Sequence, residues 1–247
     1  MFSLPVLVFN IQTIADLAAG KRLHGLNLTD ADAELALSNL RRQVAGHDVP
    51  ALPLHEVVCV SGLWIEDGQM RLWSLSQQQL SEAELITQVV AHIAQRPCHV
   101  WSWNGTGFDV PVLLYRAMRH ALSAAELLPL SIQPDGQSPL SHTDLMQTLA
   151  FQHGHVTALD DMAQWLGLPV LPLQSAVTPT EWVRTGDWEA LCTACEREVV
   201  TTWLLALRWQ LLSGRLDAEQ HEQWLQHSRE FLAQHPRHRD GFLQAFA

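Results

Sequence analysis

Asn10 and Gln12 stand two residues apart at the outer end of a short apolar run, Val-Leu-Val-Phe at 6–9 followed by Asn-Ile-Gln-Thr at 10–13. Such a run reads as a buried strand. Side chains two apart on a strand point to the same face, so the two amides emerge together at the end of a sheet. Two carboxylates so placed would hold a pair of divalent cations. Two amides of the same shape keep the geometry and lose the charge, and the chemistry of the chain turns on that difference.

The elements that must carry these residues can be followed along the sequence. Thr29 with Asp32 resembles a capping box and opens a helix running to about residue 43. Residues 56–66 and 69–75 are rich in strand formers and meet across Asp67-Gly68, a strong hairpin signal. A second helix start at residues 81–84 is followed by Leu85, Ile86, Val89, Val90 and Ile93 at helical spacing. Residues 99–103 form a further strand, Gly105 and Gly107 mark the turn after it, and residues 110–120 are helical. The prolines of 122–141 and of 169–179 indicate loops. Between them lie short helices at 144–150 and 159–166, and after them a long helix at 187–213 and a terminal helical segment at 217–246. Strands interleaved with helices make a mixed sheet with helices on its faces.

Composition narrows the class. The chain has 247 residues, 47% of them apolar and 17% charged, which suits one large globular α/β domain. No apolar run reaches the roughly 18–20 residues that span a bilayer, and a signal peptide's basic start and cleavage site are missing, so the expected location is cytoplasmic, without membrane partners. Net charge is −11, with 15 basic against 26 acidic residues, and Lys21 is the only lysine. Phosphate neutralisation dominates nucleic-acid affinity, so this balance speaks against tight autonomous binding. Cys192 and Cys195 form a C-x-x-C without a second pair at zinc-finger spacing, and with Cys59 and Cys98 they read as reduced core thiols. His24, His92 and His153 have no partner at ligand spacing.

Residues 103–113 read Trp-Asn-Gly-Thr-Gly-Phe-Asp-Val-Pro-Val-Leu. This stretch resembles the second motif of the DEDD-type 3′-5′ exonucleases, and specifically the family of predicted exonucleases similar to the proofreading domain of B-family DNA polymerases. That motif runs Asn-Gly-x-x-Phe-Asp-x-Pro-x-Leu, met here by Asn104, Gly105, Phe108, Asp109, Pro111 and Leu113. The opening strand is similar to the family's Phe-Asp-Ile-Glu-Thr, with Asn10 and Gln12 in place of its acids. Residues 141–146 resemble its His-x-Asp-Leu-Met segment, and residues 158–169 its Ser-Leu-Asp-x-Leu-Ala and Leu-Gly stretch. Residues 195–199, Cys-Glu-Arg-Glu-Val, resemble Tyr-Cys-Glu-x-Asp-Val, with Ala194 for the Tyr and Glu198 for the Asp. The pieces occur in family order over about residues 5–215.

The resemblance implies an α/β ribonuclease H-like fold, a mixed central β-sheet flanked by α-helices. It implies one domain over 1–247, with a motif-bearing core at about 5–215 and a C-terminal helical segment at 216–247. It also implies Mg²⁺ or Mn²⁺ as cofactor and the 3′ end of a single-stranded nucleic acid as partner. Two such cations, about 3.5–4 Å apart, stabilise the attacking and leaving oxygens of an in-line displacement at phosphorus. In the family the first Asp bridges both ions, the neighbouring Glu binds one, and the last Asp completes the cage. A Tyr four residues before that Asp, or a His five before it, positions the attacking water. Here the matching positions are Asn10, Gln12, Asp109 and Glu198, with Ala194 and Thr193 where Tyr or His would stand. Four carboxylates have become two, Asp109 and Glu198. One charge pair at 4 Å is worth roughly 4 kcal/mol at a surface-like dielectric, so metal affinity is expected to fall by several orders of magnitude.

Asn104, Phe108 and Trp103 are candidates for substrate contact, although Asn104 with its glycines also suits a plain tight turn. Trp101 is expected to flank the same cleft as Trp103. Asp144, Asp160 and Asp161 sit at helix starts, where carboxylates cap free N–H groups. Trp165, Trp203 and Trp209 fall at helical spacing and read as core, and Arg116 and Arg119 suit either a phosphate or a solvated helix face. Three functions follow: an impaired or inactive exonuclease relative that keeps a nucleic-acid-processing scaffold, a working exonuclease whose amides ligate Mn²⁺, and a protein-interaction module with a protein partner, which the acidic balance favours.

Overall fold

A computed structural model describes residues 4–131, 141–151, 154–168 and 177–238. The expectations for His153, and those parts of the loops at 122–141 and 169–179 and of the terminal helix that fall outside these ranges, are therefore not described. The strands are β1 (Val6–Ala15), β2 (His55–Glu66), β3 (Gln69–Ser76), β4 (His99–Ser102) and β5 (Ser141–Asp144). They form one sheet in the order β3-β2-β1-β4-β5. β1 pairs antiparallel with β2 and parallel with β4, and β4 pairs parallel with β5, so the sheet is mixed as expected.

β1 lies at the centre and is buried on both faces. Leu7, Phe9 and Ile11 enter one core with the helices α3 (Glu82–Ala94) and α4 (Asp109–Arg119). Val6 and Val8 enter the other, under the long helix α9 (Trp188–Leu212) and α10 (Ala218–Gln234). The alternation that sorts these residues carries Asn10 and Gln12 to the α9 side. The β1–β2 register shifts between Gln12 and Thr13, an irregularity of the kind that re-aims side chains at the end of a strand. Asp67 and Gly68 both have positive φ, 49° and 76°, which is the turn that a two-residue hairpin requires.

Several elements are not those expected from the sequence. Helix α1 (Leu17–His24) precedes α2 (Asp30–Ala45) between β1 and β2. Helix α5 (Leu128–Ser131) lies in what reads as a loop, β5 opens where that loop was expected to end, and α8 (Pro179–Thr185) follows the second proline-rich stretch. The short helices α6 (Leu145–Leu149) and α7 (Leu159–Trp165) stand where expected. Trp203 is fully buried, but Trp165 is 78% exposed and does not belong to the core. Trp101 is also fully buried, so it does not flank a cleft. Arg116 faces no phosphate: it is 2% exposed and locked between Asp16 and Glu82, donating at 2.6 Å and 2.5 Å, and Arg119 reaches the same Asp16 at 3.1 Å.

Candidate active site

The outer ends of β1 and β4, the start of α4 and the middle of α9 meet at one place. Asn10 Nδ2 donates to Glu198 Oε2 at 2.8 Å, and Gln12 Nε2 donates to Glu198 Oε1 at 3.1 Å. Only the NH₂ side of an amide can face a carboxylate, so the partner sets both orientations. Both carboxylate oxygens of Glu198 are thus occupied by uncharged donors. The Cys195 thiol also lies against Asn10, donating to its backbone carbonyl at 3.4 Å, while Asn10 Nδ2 approaches the sulfur at 3.6 Å.

Asp109 opens α4 and is buried. Its Oδ1 accepts from Ile11 N at 3.0 Å, which pins the start of α4 to β1 between the two amides. Burial pushes the Asp109 carboxyl up to about 7, and the negative charges of Glu198 and Asp144 add to the rise while the Ile11 hydrogen bond opposes it. Burial likewise raises Glu198 to about 7, against the opposing pull of Arg197 and of the two amide hydrogen bonds. Arg197 in turn pairs with Asp160 at 3.1 Å, so α7 is tied to α9 next to Glu198. Ala194 precedes Glu198 by one turn of α9 and so shares its face. It offers only a methyl group at the position where the family resemblance leads one to expect a tyrosine hydroxyl.

The second-motif residues serve the turn that delivers Asp109. Asn104 adopts φ 62°, and its carbonyl accepts from Gly107 N at 3.1 Å and Phe108 N at 2.8 Å. A Cβ on Gly107 would meet Asn104 Oδ1, so a larger residue there would displace the Asn104 side chain. Asp144 holds the turn from the neighbouring strand, accepting from Asn104 N at 3.0 Å and from Thr106 N at 3.0 Å. It also caps α6, as expected. Asp160 and Asp161 lie in the first turn of α7, whose N-cap is Ala158. Phe108 packs into the core and meets the His55 ring edge-on at 4.9 Å. Trp103 is half-buried against the α9-side core.

The Cys195 and Arg197 contacts were missed from sequence. Their only signal was adjacency to Glu198, and helical spacing does not say which neighbours turn toward a strand. Beyond Gln12 a groove of about 840 Å³ opens between β1, α1 and α2. It is mainly apolar, and among the described residues Arg41 is the one arginine that lines it, set among Asp16, Glu34 and Asp48.

A five-stranded mixed sheet with helices on its faces, and with Asn10, Gln12, Asp109 and Glu198 brought together at the end of its central strand, has the ribonuclease H-like α/β fold of exonucleases. Residues 47–246 match the family of predicted 3′-5′ exonucleases related to the exonuclease domain of PolB, and the chain belongs to that family. The matched span begins downstream of β1. No curated protein matches the chain significantly. Among solved structures, the family B DNA polymerase of the archaeon Pyrobaculum calidifontis is 17% identical with a TM-score of 0.53, covering 85% of this chain and 25% of the polymerase. An exonuclease I from Methylocaldum szegediense is 11% identical with a TM-score of 0.43, covering 83% of this chain and 43% of the enzyme. The chain therefore spans less than half of either relative.

Proposed function

We propose that this chain is a nucleic-acid-processing protein of the 3′-5′ exonuclease family, on a single ribonuclease H-like domain, whose two-metal site no longer supports rapid Mg²⁺-dependent cleavage. The family uses divalent metals, and the residues present do not suit a magnesium pair. Mg²⁺ demands charged oxygen ligands in near-octahedral geometry at about 2.0–2.1 Å. Asn10 and Gln12 bring no charge and direct their donors at Glu198. Asp109 spends one oxygen on Ile11 N and is held near neutrality by burial. The amide-to-Glu198 hydrogen bonds carry this reading, because they stabilise the acid by the means a cation would otherwise supply. The scaffold keeps the family's affinity for a single-stranded 3′ end only weakly, since a net charge of −11 and a groove with one arginine offer phosphates little.

The test is incubation with a 3′-labelled single strand and Mg²⁺ or Mn²⁺. No shortening above background is expected. Rapid degradation by the unaltered chain, abolished by Asp109→Ala, would overturn the proposal and show that amide oxygens suffice as ligands.

A further inference from the structure

On the side of α9 away from Glu198, a second cluster forms with the segment after α10. Glu196, His235 and His238 each offer a ligand atom, and these atoms lie within 4.8 Å of one another. Glu196 is 1% exposed and His238 0%. Glu196 Oε1 accepts from Ser74 Oγ at 2.5 Å and from Arg237 Nη1 at 2.6 Å, while Oε2 faces His238 Nε2 at 2.8 Å. The His235 ring stacks on His238 with centroids 5.0 Å apart and an interplanar angle of 23°. His235 Nδ1 is buried and has no hydrogen-bond partner among the described residues. A buried ring nitrogen without a partner calls for an explanation, and a bound ion is one.

We propose that Glu196, His235 and His238 form a zinc site that fastens the end of the α10 segment to α9. Two imidazoles and one carboxylate suit zinc-class cations, whereas magnesium prefers an all-oxygen set. For zinc bonds of about 2.0–2.2 Å to His nitrogen and carboxylate oxygen, the His238–Glu196 pair, now 2.8 Å apart, opens by a few tenths of an ångström and the half-buried His235 ring moves in. On binding, Zn²⁺ takes the place of the proton shared by His238 Nε2 and Glu196 Oε2, and that proton leaves to solvent. Ser74 and Arg237 hold the other carboxylate oxygen and so fix the direction of Oε2, the part that outer hydrogen-bond partners play around metal ligands. Half-buried His235 leaves the fourth position open to water. Residues two apart on a helix diverge by about 200°, which keeps this site apart from the amide-filled one at Glu198.

The experiment uses the whole chain, stripped by a chelator and titrated calorimetrically with Zn²⁺, with Co²⁺ as an optical probe. One Zn²⁺ per chain is expected, together with a raised Tm and the visible absorption of tetrahedral Co²⁺. His235→Asn, chosen because that ring is only half-buried, should abolish uptake while circular dichroism stays unchanged. Ser74→Ala should weaken binding by about 10–100-fold, and Gln12→Ala should leave it intact. No uptake by the parent chain would overturn the proposal in favour of a plain ion-pair cluster. Uptake that survives His235→Asn and disappears in Gln12→Ala would overturn it by locating the metal at the other site.

Discussion

At the scale of the residue, the site is a carboxylate held by amides. Converting Asn10 to Asp places a second charge where Glu198 now accepts a hydrogen bond at 2.8 Å. Without metal, the Asn10→Asp, Gln12→Glu variant should lose about 1–3 kcal/mol, the usual consequence of a buried group losing its partner. Mn²⁺ should restore that loss, and thermal melts in EDTA and in Mn²⁺ compare the two states. Identical melts would contradict the charge argument. Exonuclease activity should return only in part, because Ala194 still positions no water and such groups are worth about 10²–10⁴-fold. A second prediction concerns pH. Asp109 is raised to about 7 in the folded chain, whereas an unfolded Asp ionises near 3.9. Between those values the folded state holds the extra proton, so this residue's contribution to stability falls as pH rises through the window. Asp109→Asn removes the effect, and its Tm relative to the parent should therefore increase from pH 5 to pH 8. A difference that is flat or runs the other way would refute the assignment. The identity of these residues was legible in the sequence. Their pairing was not, because no spacing rule reveals that an amide donates to an acid 188 positions away.

At the scale of the element, α4 does two jobs: Asp109 at its start meets β1, and Arg116 near its end joins Asp16 and Glu82. Arg116→Ala would leave Asp16 with Arg119 alone and Glu82 with His120 alone, and breaking a buried pair in this way costs about 3–5 kcal/mol. Urea unfolding measures it, and a loss under about 1 kcal/mol would show that water reaches the acids instead. Elements with strong local signals were readable: the Asp67-Gly68 hairpin, and α3 with its Ser81 and Glu84 capping box. Those set by tertiary contacts were not. β5 consists of Ser-His-Thr-Asp, has no apolar pattern, and exists because β4 pairs with it. In α1 the pattern is broken by Gly20, where a Cβ would press on the terminal methyl groups of Leu37 in α2. α8 carries Thr178 as N-cap and Pro179 in its first turn, a start signal hidden among the preceding prolines. Arg116 read as a surface group because helical spacing alone does not show that Asp16, one hundred positions earlier, lies beneath it.

At the scale of the whole molecule, the mixed-sheet fold class and the family were legible because the motif-bearing segments occur in family order, whereas the strand order was not, since β5 carries no apolar pattern. Trp165 was misread for the opposite reason: helical spacing marks a face but does not say whether another element covers it. The overall charge sets the last prediction. A single-stranded oligonucleotide should bind in the weak, non-specific range of about 10⁻⁴–10⁻⁶ M or weaker, with a shallow dependence on salt. Fluorescence anisotropy between low and moderate salt measures both quantities. Nanomolar binding with a steep salt slope would reveal a basic surface that the acidic balance conceals.

The Ile11 N to Asp109 Oδ1 hydrogen bond, 3.0 Å long, has a consequence on the timescale of chemical ageing. Spontaneous deamidation of an asparagine proceeds when the backbone nitrogen of the next residue attacks its side-chain carbonyl carbon and closes a succinimide ring. For Asn10 that nitrogen belongs to Ile11, whose N–H is held by Asp109 within a central, paired strand and whose side chain is β-branched. The Asp109 hydrogen bond and the strand pairing thus both oppose the attack. Deamidation of Asn10 is therefore expected to be slow while the protein is folded and to accelerate once the sheet opens.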